Sequence, residues 1–149
     1  MIKGLSPVNE ITIRPLTAAE EPPRELLRLA DESDDAIADY FVRGNCYVAV
    51  LDGEIIGEYV LLPTRPFTVE LVNVAVAEKH KGLGYGKQLV MHAIAEAKAE
   101  GYRTIELGTS NAGFSQLALY QKCGFSMTHI DIDFFRRHYD EPFFENGIE

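Results

Sequence analysis

Apolar and polar residues alternate over residues 11–16, which predicts a first strand. Helices are expected over 20–30 and 31–43, interrupted near Asp31 to Asp34, with Pro22 and Pro23 suited to a helix start. The runs 46–51 and 54–62 flank Asp52-Gly53, the dipeptide of a tight hairpin turn. A fourth strand is predicted over 67–77. A helix follows over 84–100, with Leu89, Val90, Ala93, Ile94 and Ala97 as its apolar stripe and Gly101 as its stop. The remainder reads as a short strand over 104–107, a helix over 115–122 and a strand over 126–134, and 142–148 leaves room for a last one. Three antiparallel strands followed by strand–helix–strand–helix–strand describe a mixed α/β domain. A right-handed crossover would carry the long helix across the sheet. The segment before Gly84 then lies at the carboxyl end of the strand ending at Val76, where such sheets open to ligands.

The segment Val72-Asn-Val-Ala-Val-Ala-Glu-Lys-His-Lys-Gly-Leu-Gly-Tyr-Gly-Lys-Gln-Leu89 carries the chemistry of that opening. Gly82, Gly84 and Gly86 let the chain bring successive N–H groups to a helix start, where the dipole adds positive potential. Lys81 and Lys87 add charge. A phosphorylated cofactor is expected there. A dinucleotide fold would need an acid about 20 residues on, and Glu106 stands near that place, but the preceding strands read as antiparallel. A Walker loop fails because Gln88 follows Lys87 where Ser or Thr is required. A ligand-free glycine turn is the remaining reading.

A second motif, Asn111-Ala-Gly-Phe-Ser-Gln-Leu-Ala-Leu-Tyr-Gln-Lys-Cys-Gly-Phe125, reads as loop, helix and glycine stop. Together with Lys81-x-x-Gly84-x-Gly86, it resembles the GNAT superfamily of N-acetyltransferases, with the tail from Phe135 to Ile148 fitting a small bacterial branch. The resemblance spans residues 68–125. It implies a GNAT-like acyl-CoA fold, with a mostly antiparallel six- to seven-stranded sheet flanked by helices. It implies acetyl-CoA as co-substrate and direct transfer to a primary amine in a ternary complex. In this pattern the amides of Val74, Ala75 and Val76 pair with the pantetheine arm. Those from Gly82 through Leu83, Gly84, Tyr85 and Gly86 to Lys87 take the pyrophosphate. Lys81 replaces the usual Gln or Arg and keeps the cation without its planar fork. Asn111 stands nine residues before Tyr120, further than the family pattern has it, so Ser115 is an alternative for its place. Tyr120 is expected to protonate the departing thiolate, since a phenol is protonated at neutral pH. The other reading of Tyr120 is packing beside Leu117. Glu70 is expected to be the general base, at the position a Glu holds in histone-acetylating members, with Glu58 or a water chain as substitutes.

Composition narrows the partners. The 149 residues, 46% apolar, suit one domain over 1–149, and no run approaches a membrane span. No leader pattern opens the chain, and a cytoplasmic protein, monomer or homodimer, is expected. Cys46 and Cys123 read as free thiols. A net charge of −9 disfavours nucleic acid and anionic membranes. It suits a cationic acceptor, though a solubilising acidic surface is the simpler reading. The cluster of Asp31, Glu32, Asp34 and Asp35 could recognise a cation or form a solvated face. Asp131 and Asp133, two apart, share a strand face at an acceptor pocket or in solvent. The four histidines have no metal-ligand spacing, and no metal is expected. A non-catalytic acyl-CoA sensor on the same fold and a nucleotide-binding redox domain are the competing functions.

Overall fold

The structure, a computed structural model, describes residues 10–148. These fall into two compact units, one ending at Glu106 and one beginning at Leu107.

The first unit is built on a five-stranded sheet in the order β1-β2-β3-β4-β5. The strands are β1 (Thr12–Pro15), β2 (Asn45–Leu51), β3 (Glu54–Arg65), β4 (Thr68–Val76) and β5 (Thr104–Glu106). All neighbours are antiparallel except β4 and β5, which run parallel. Asp52 and Gly53 join β2 to β3 with φ of 49° and 78°. Two positive φ values match the strand twist of a two-residue hairpin, as the Asp-Gly pair predicts.

Helices α1 (Arg24–Ala30) and α2 (Asp34–Arg43) cover one sheet face. The helix expected from residue 20 starts only after Pro22-Pro23, because Pro23 takes the N-cap and α1 follows it. The Ser33 hydroxyl accepts the Ala36 N–H at 3.1 Å and caps α2. Leu27 and Tyr40 pack against Val60 and Leu62 of β3. The long helix α3 (Tyr85–Ala99) covers the other face and buries Leu89, Val90, Ala93 and Ala97, four of the five residues of the expected stripe.

Gly44 joins α2 to β2. A Cβ there would stand 2.8 Å from the Leu61 carbonyl oxygen, 2.9 Å from that of Tyr40 and 2.9 Å from Val60 Cγ1. Two of these neighbours are backbone and cannot rotate away. Gly44→Ala is therefore expected to destabilise the fold by ~1–3 kcal/mol, read as a lower urea midpoint at unchanged slope.

The second unit holds α4 (Phe114–Lys122) and α5 (Phe134–His138). Here the sequence reading needs correction. No strand forms over 126–134, and Met127, Ile130 and Ile132 are exposed. Over 142–148 there is one isolated bridge, Glu145 to Ile148, around a turn at Asn146 and Gly147. The sheet of the described residues has five strands, not six or seven. An alternating pattern says which side chains would share a face, but a strand also needs a neighbour for its amides. Asp131 and Asp133 instead pair with Arg137 and Arg136 across the start of α5. The mixed α/β, mostly antiparallel class stands.

Candidate active site

Strand β4 pairs with β5 only from Thr68 to Glu70. Beyond that, residues 71–76 of β4 keep β3 as their one strand neighbour among the described residues. Every second amide along that edge points away from β3, leaving a row of open donors and acceptors. Val74, Ala75 and Val76 lie on it. Their side chains are half-buried to buried, so any ligand role there belongs to the backbone.

The edge leads through a short 3₁₀ turn, Glu78–His80, into the glycine segment. Gly82 and Gly84 have φ of 79° and 86°, and no atom lies within 4 Å of where either Cβ would be. Gly84 is the N-cap of α3 without any side-chain cap. Gln88 donates the first helical bond, to the Gly84 carbonyl at 3.2 Å. The amides of Gly86 and Lys87 precede it, at positions of a helix start that have no intrahelical acceptor. Leu83 is half exposed beside them, and the Tyr85 side chain is buried. The Lys81 ammonium meets Glu78 at 2.7 Å, with both groups exposed. Such surface pairs contribute little and exchange readily, which leaves Lys81 available to an anion. Lys87 is exposed in the first helical turn.

Glu70 stands opposite Leu62 of β3 and Glu106 of β5. It is half-buried, and its carboxyl is pushed up, first by burial and then by the Glu106 charge. Like charges opposed on a sheet repel. Arg65 offsets this by bonding Glu106 at 2.6 Å.

In the second unit, Tyr120 lies on α4, half-buried, with its ring edge-on to Phe125 at 6.2 Å between centroids. The Gly124 turn, at φ 102°, folds Phe125 back so that its N–H reaches the Tyr120 carbonyl at 3.0 Å. This explains why a helix ending Tyr-x-x-x-Gly-Phe has that spacing. Burial, with Cys123 and Glu145 nearby, pushes the Tyr120 hydroxyl up from its ordinary value, so it is a protonated donor at neutral pH. Asn111 is exposed in the turn before α4. Its neighbour Ser110 is buried and bonds Glu145. Ser115 is exposed and bonds Gln116 at 3.1 Å.

Other expected positions have local partners. Arg28 holds Asp34 by two bonds of 2.8 Å. Asp31 accepts from the Ser33 N–H at 3.0 Å and from the Tyr40 hydroxyl at 3.2 Å. Half of that acidic cluster thus serves helix termini. The sequence reading missed Asn73, a polar residue inside an apolar run. It is buried, and its Nδ2 donates to the Leu27 carbonyl at 3.0 Å and to the Tyr40 hydroxyl at 2.8 Å.

Residues 10–125 match the model of the acetyltransferase (GNAT) family. The chain belongs to the GNAT acetyltransferase family. An uncharacterised N-acetyltransferase of Bacillus subtilis, YvbK, is 57% identical over 125 residues, 84% of this chain and 81% of its own length. A GNAT family acetyltransferase of Elizabethkingia anophelis, solved with acetyl-CoA bound, superposes with a TM-score of 0.91 at 46% identity, covering 95% of this chain and 92% of its own. A Bacillus subtilis acetyltransferase in complex with CoA gives 0.87 at 51% identity, covering 94% and 92%. The GNAT assignment made from the two motifs therefore holds. Among the described residues, no helix is long and apolar enough to cross a membrane.

Proposed function

We propose that this GNAT protein binds acetyl-CoA along the open edge of β4 and the glycine turn, and transfers the acetyl group directly to a primary amine. The observation that carries the reading is the continuity of the two features. An unpaired strand edge suits the amides of a pantetheine arm, as an added strand would. It runs straight into a glycine turn and helix start whose N–H groups and dipole suit a pyrophosphate. The solved relative with acetyl-CoA bound supports the same ligand.

In this reading the edge holds the thioester in place, which supplies much of the rate by orientation alone. An edge amide donates to the oxyanion as the amine attacks. Tyr120 gives its proton to the departing thiolate. A carboxyl on the sheet face under α1 and α2 takes the proton of the acceptor ammonium, and Glu70 is the candidate that the sequence picks out. The acidic balance of the chain favours a cationic acceptor.

The test is a melting-temperature series followed by a release assay. Acetyl-CoA and CoA are expected to raise the melting temperature, by about 2.7 kcal/mol of stabilisation at a hundred times Kd. NADH and ATP are expected to do far less. Gly84→Asp puts a side chain at φ 86° and a negative charge beside the turn, and is expected to abolish the shift. Free thiol is then followed over a panel of amines, polyamines, aminoglycosides and peptides. Thiol release with an amine supports the transferase. Tight acetyl-CoA binding without release from any acceptor would mark an acyl-CoA-binding module. Equal stabilisation by NADH would overturn the cofactor.

A further inference from the structure

Glu58 lies in the middle of β3 with 0% exposure, and neither of its carboxyl oxygens has a hydrogen-bond partner. A buried carboxyl without partners is costly, and a fold retains one where something else fills the need. Register places Glu58 opposite Val48 on β2 and Ala75 on β4. Val60, two residues on, stands opposite Cys46 and Asn73 and packs against Leu27 and Tyr40. Alternate residues of a strand share a face. Glu58 therefore looks toward α1 and α2, together with Cys46 and Asn73. Asn73 spends both donated bonds on Leu27 and Tyr40, and its Oδ1 is buried without a partner. Three unmatched acceptor oxygens thus occupy neighbouring positions of one face. Titratable side chains near them are Cys46 and Tyr40, with Asp31 behind Tyr40 and Glu20 near Cys46; burial pushes Tyr40 up, with Asp31 and Glu58 adding to it, and burial, with Glu58 and Glu20, pushes the Cys46 thiol to about 12. Both stay neutral near pH 7 and bring no cation.

Once Glu58 is ionised, it and Asn73 Oδ1 offer only acceptors, which is complementary to an ammonium with its three N–H donors. The register partner Ala75 belongs to the open edge assigned above to the pantetheine arm. Glu70 shares the face but stands opposite Leu62, ~13 Å further along β3 at the rise of a strand. We propose that Glu58, with Asn73, receives the ammonium of the acceptor and is the general base of the transfer, while Glu70 meets positive charge elsewhere on the acceptor. This rests on the amine-transfer reading.

The step balances within the groups named. An N–H bond of the ammonium breaks and an O–H bond forms on Glu58. The freed pair makes the C–N bond at the thioester carbon as the C–S bond breaks. The sulfur leaves with that bond's electrons and takes its proton from Tyr120, and the acylated nitrogen gives up its second proton, through water, to restore the Tyr120 hydroxyl. Glu58 returns its proton to solvent after release. Burial holds this carboxyl at about 8 in the free protein, and an ammonium beside it favours the ionised form, which is the form that accepts the proton.

The experiment compares pH–rate profiles of the wild type, Glu58→Gln, Glu58→Asp and Glu70→Gln, using the best amine of the panel. Glu58→Gln is expected to lower kcat ~10²-fold or more at pH 7, with the loss shrinking as pH approaches the pKa of the free amine. Its melting shift with acetyl-CoA should persist, showing an intact fold. Glu58→Asp keeps a carboxyl and should recover part of kcat and the wild-type profile shape. Glu70→Gln should act mainly on KM for cationic amines. Wild-type kcat and profile in Glu58→Gln would overturn the assignment, as would a kcat loss confined to Glu70→Gln. If the wild type releases no thiol with any amine, the amine-transfer reading itself falls. An active wild type with an unaffected Glu58→Gln overturns only the base.

Discussion

Tyr120→Phe is expected to lower turnover ~10²-fold or more, the usual range for loss of a general acid. The change removes one oxygen and keeps the ring against Phe125. The helix end built around Gly124 should survive, because its bonds come from backbone. Melting temperature and acetyl-CoA binding should therefore barely move, while kcat and kcat/KM fall together, as they do when an interaction is lost only in the transition state. The pH dependence gives a second mark. Burial raises the Tyr120 hydroxyl from its ordinary value, so the wild type should keep its acid through the alkaline range. A Phe variant with near-native single-turnover rates would make Tyr120 a packing residue. Steady-state rates alone would be insufficient, since slow product release hides a chemical step.

The second large effect is on stability and needs no substrate. The Glu58 carboxyl is raised from 4.5 to about 8 by burial. Below pH 4.5 it is protonated in both folded and unfolded chains and adds no pH-dependent term. Between 4.5 and 8 the unfolded chain loses this proton and the folded chain keeps it. The unfolded state then binds fewer protons, so stability falls as pH rises. By pH 8 the loss is on the order of 5 kcal/mol. Glu58→Gln has the same shape and no such titration. Urea midpoints of the two proteins should be close near pH 4.5 and diverge toward pH 8, with the Gln variant the more stable. Parallel curves would mean that Glu58 is solvated in solution. A variant that gains stability and loses turnover would place the carboxyl among groups kept for activity at a cost to the fold.

Those two residues also mark how far the sequence could be read. The hairpin was legible because Asp-Gly is one of few pairs that tolerate two positive φ values. The turn into α3 was legible because glycines at 82 and 84 sit between a strand and a helical stripe. The helix end after Tyr120 was legible through its motif, whose spacing is the geometry of the Gly124 turn. Glu58 was harder. Residues 56–62 are all buried, so the alternation that separates inner from outer positions is lost there. An acid in such a strand reads as outward-facing until its neighbours are known. Asn73 gave a faint signal, one polar residue among valines. The segment 126–134 failed in the other direction. The alternation of Ile130, Ile132 and Phe134 with polar residues is real, but strand formation depends on a partner that local pattern does not encode.

The open edge of β4 has a consequence for life without ligand. A strand with unpaired amides is a template on which another chain can add itself. Here that stretch is rich in valine, uncharged and free of proline, a composition suited to such pairing. A pantetheine arm lying along it would satisfy the same donors and acceptors. On the reading above, the cofactor is then also a guard against self-association, and the protein starved of acetyl-CoA should be the form that aggregates first.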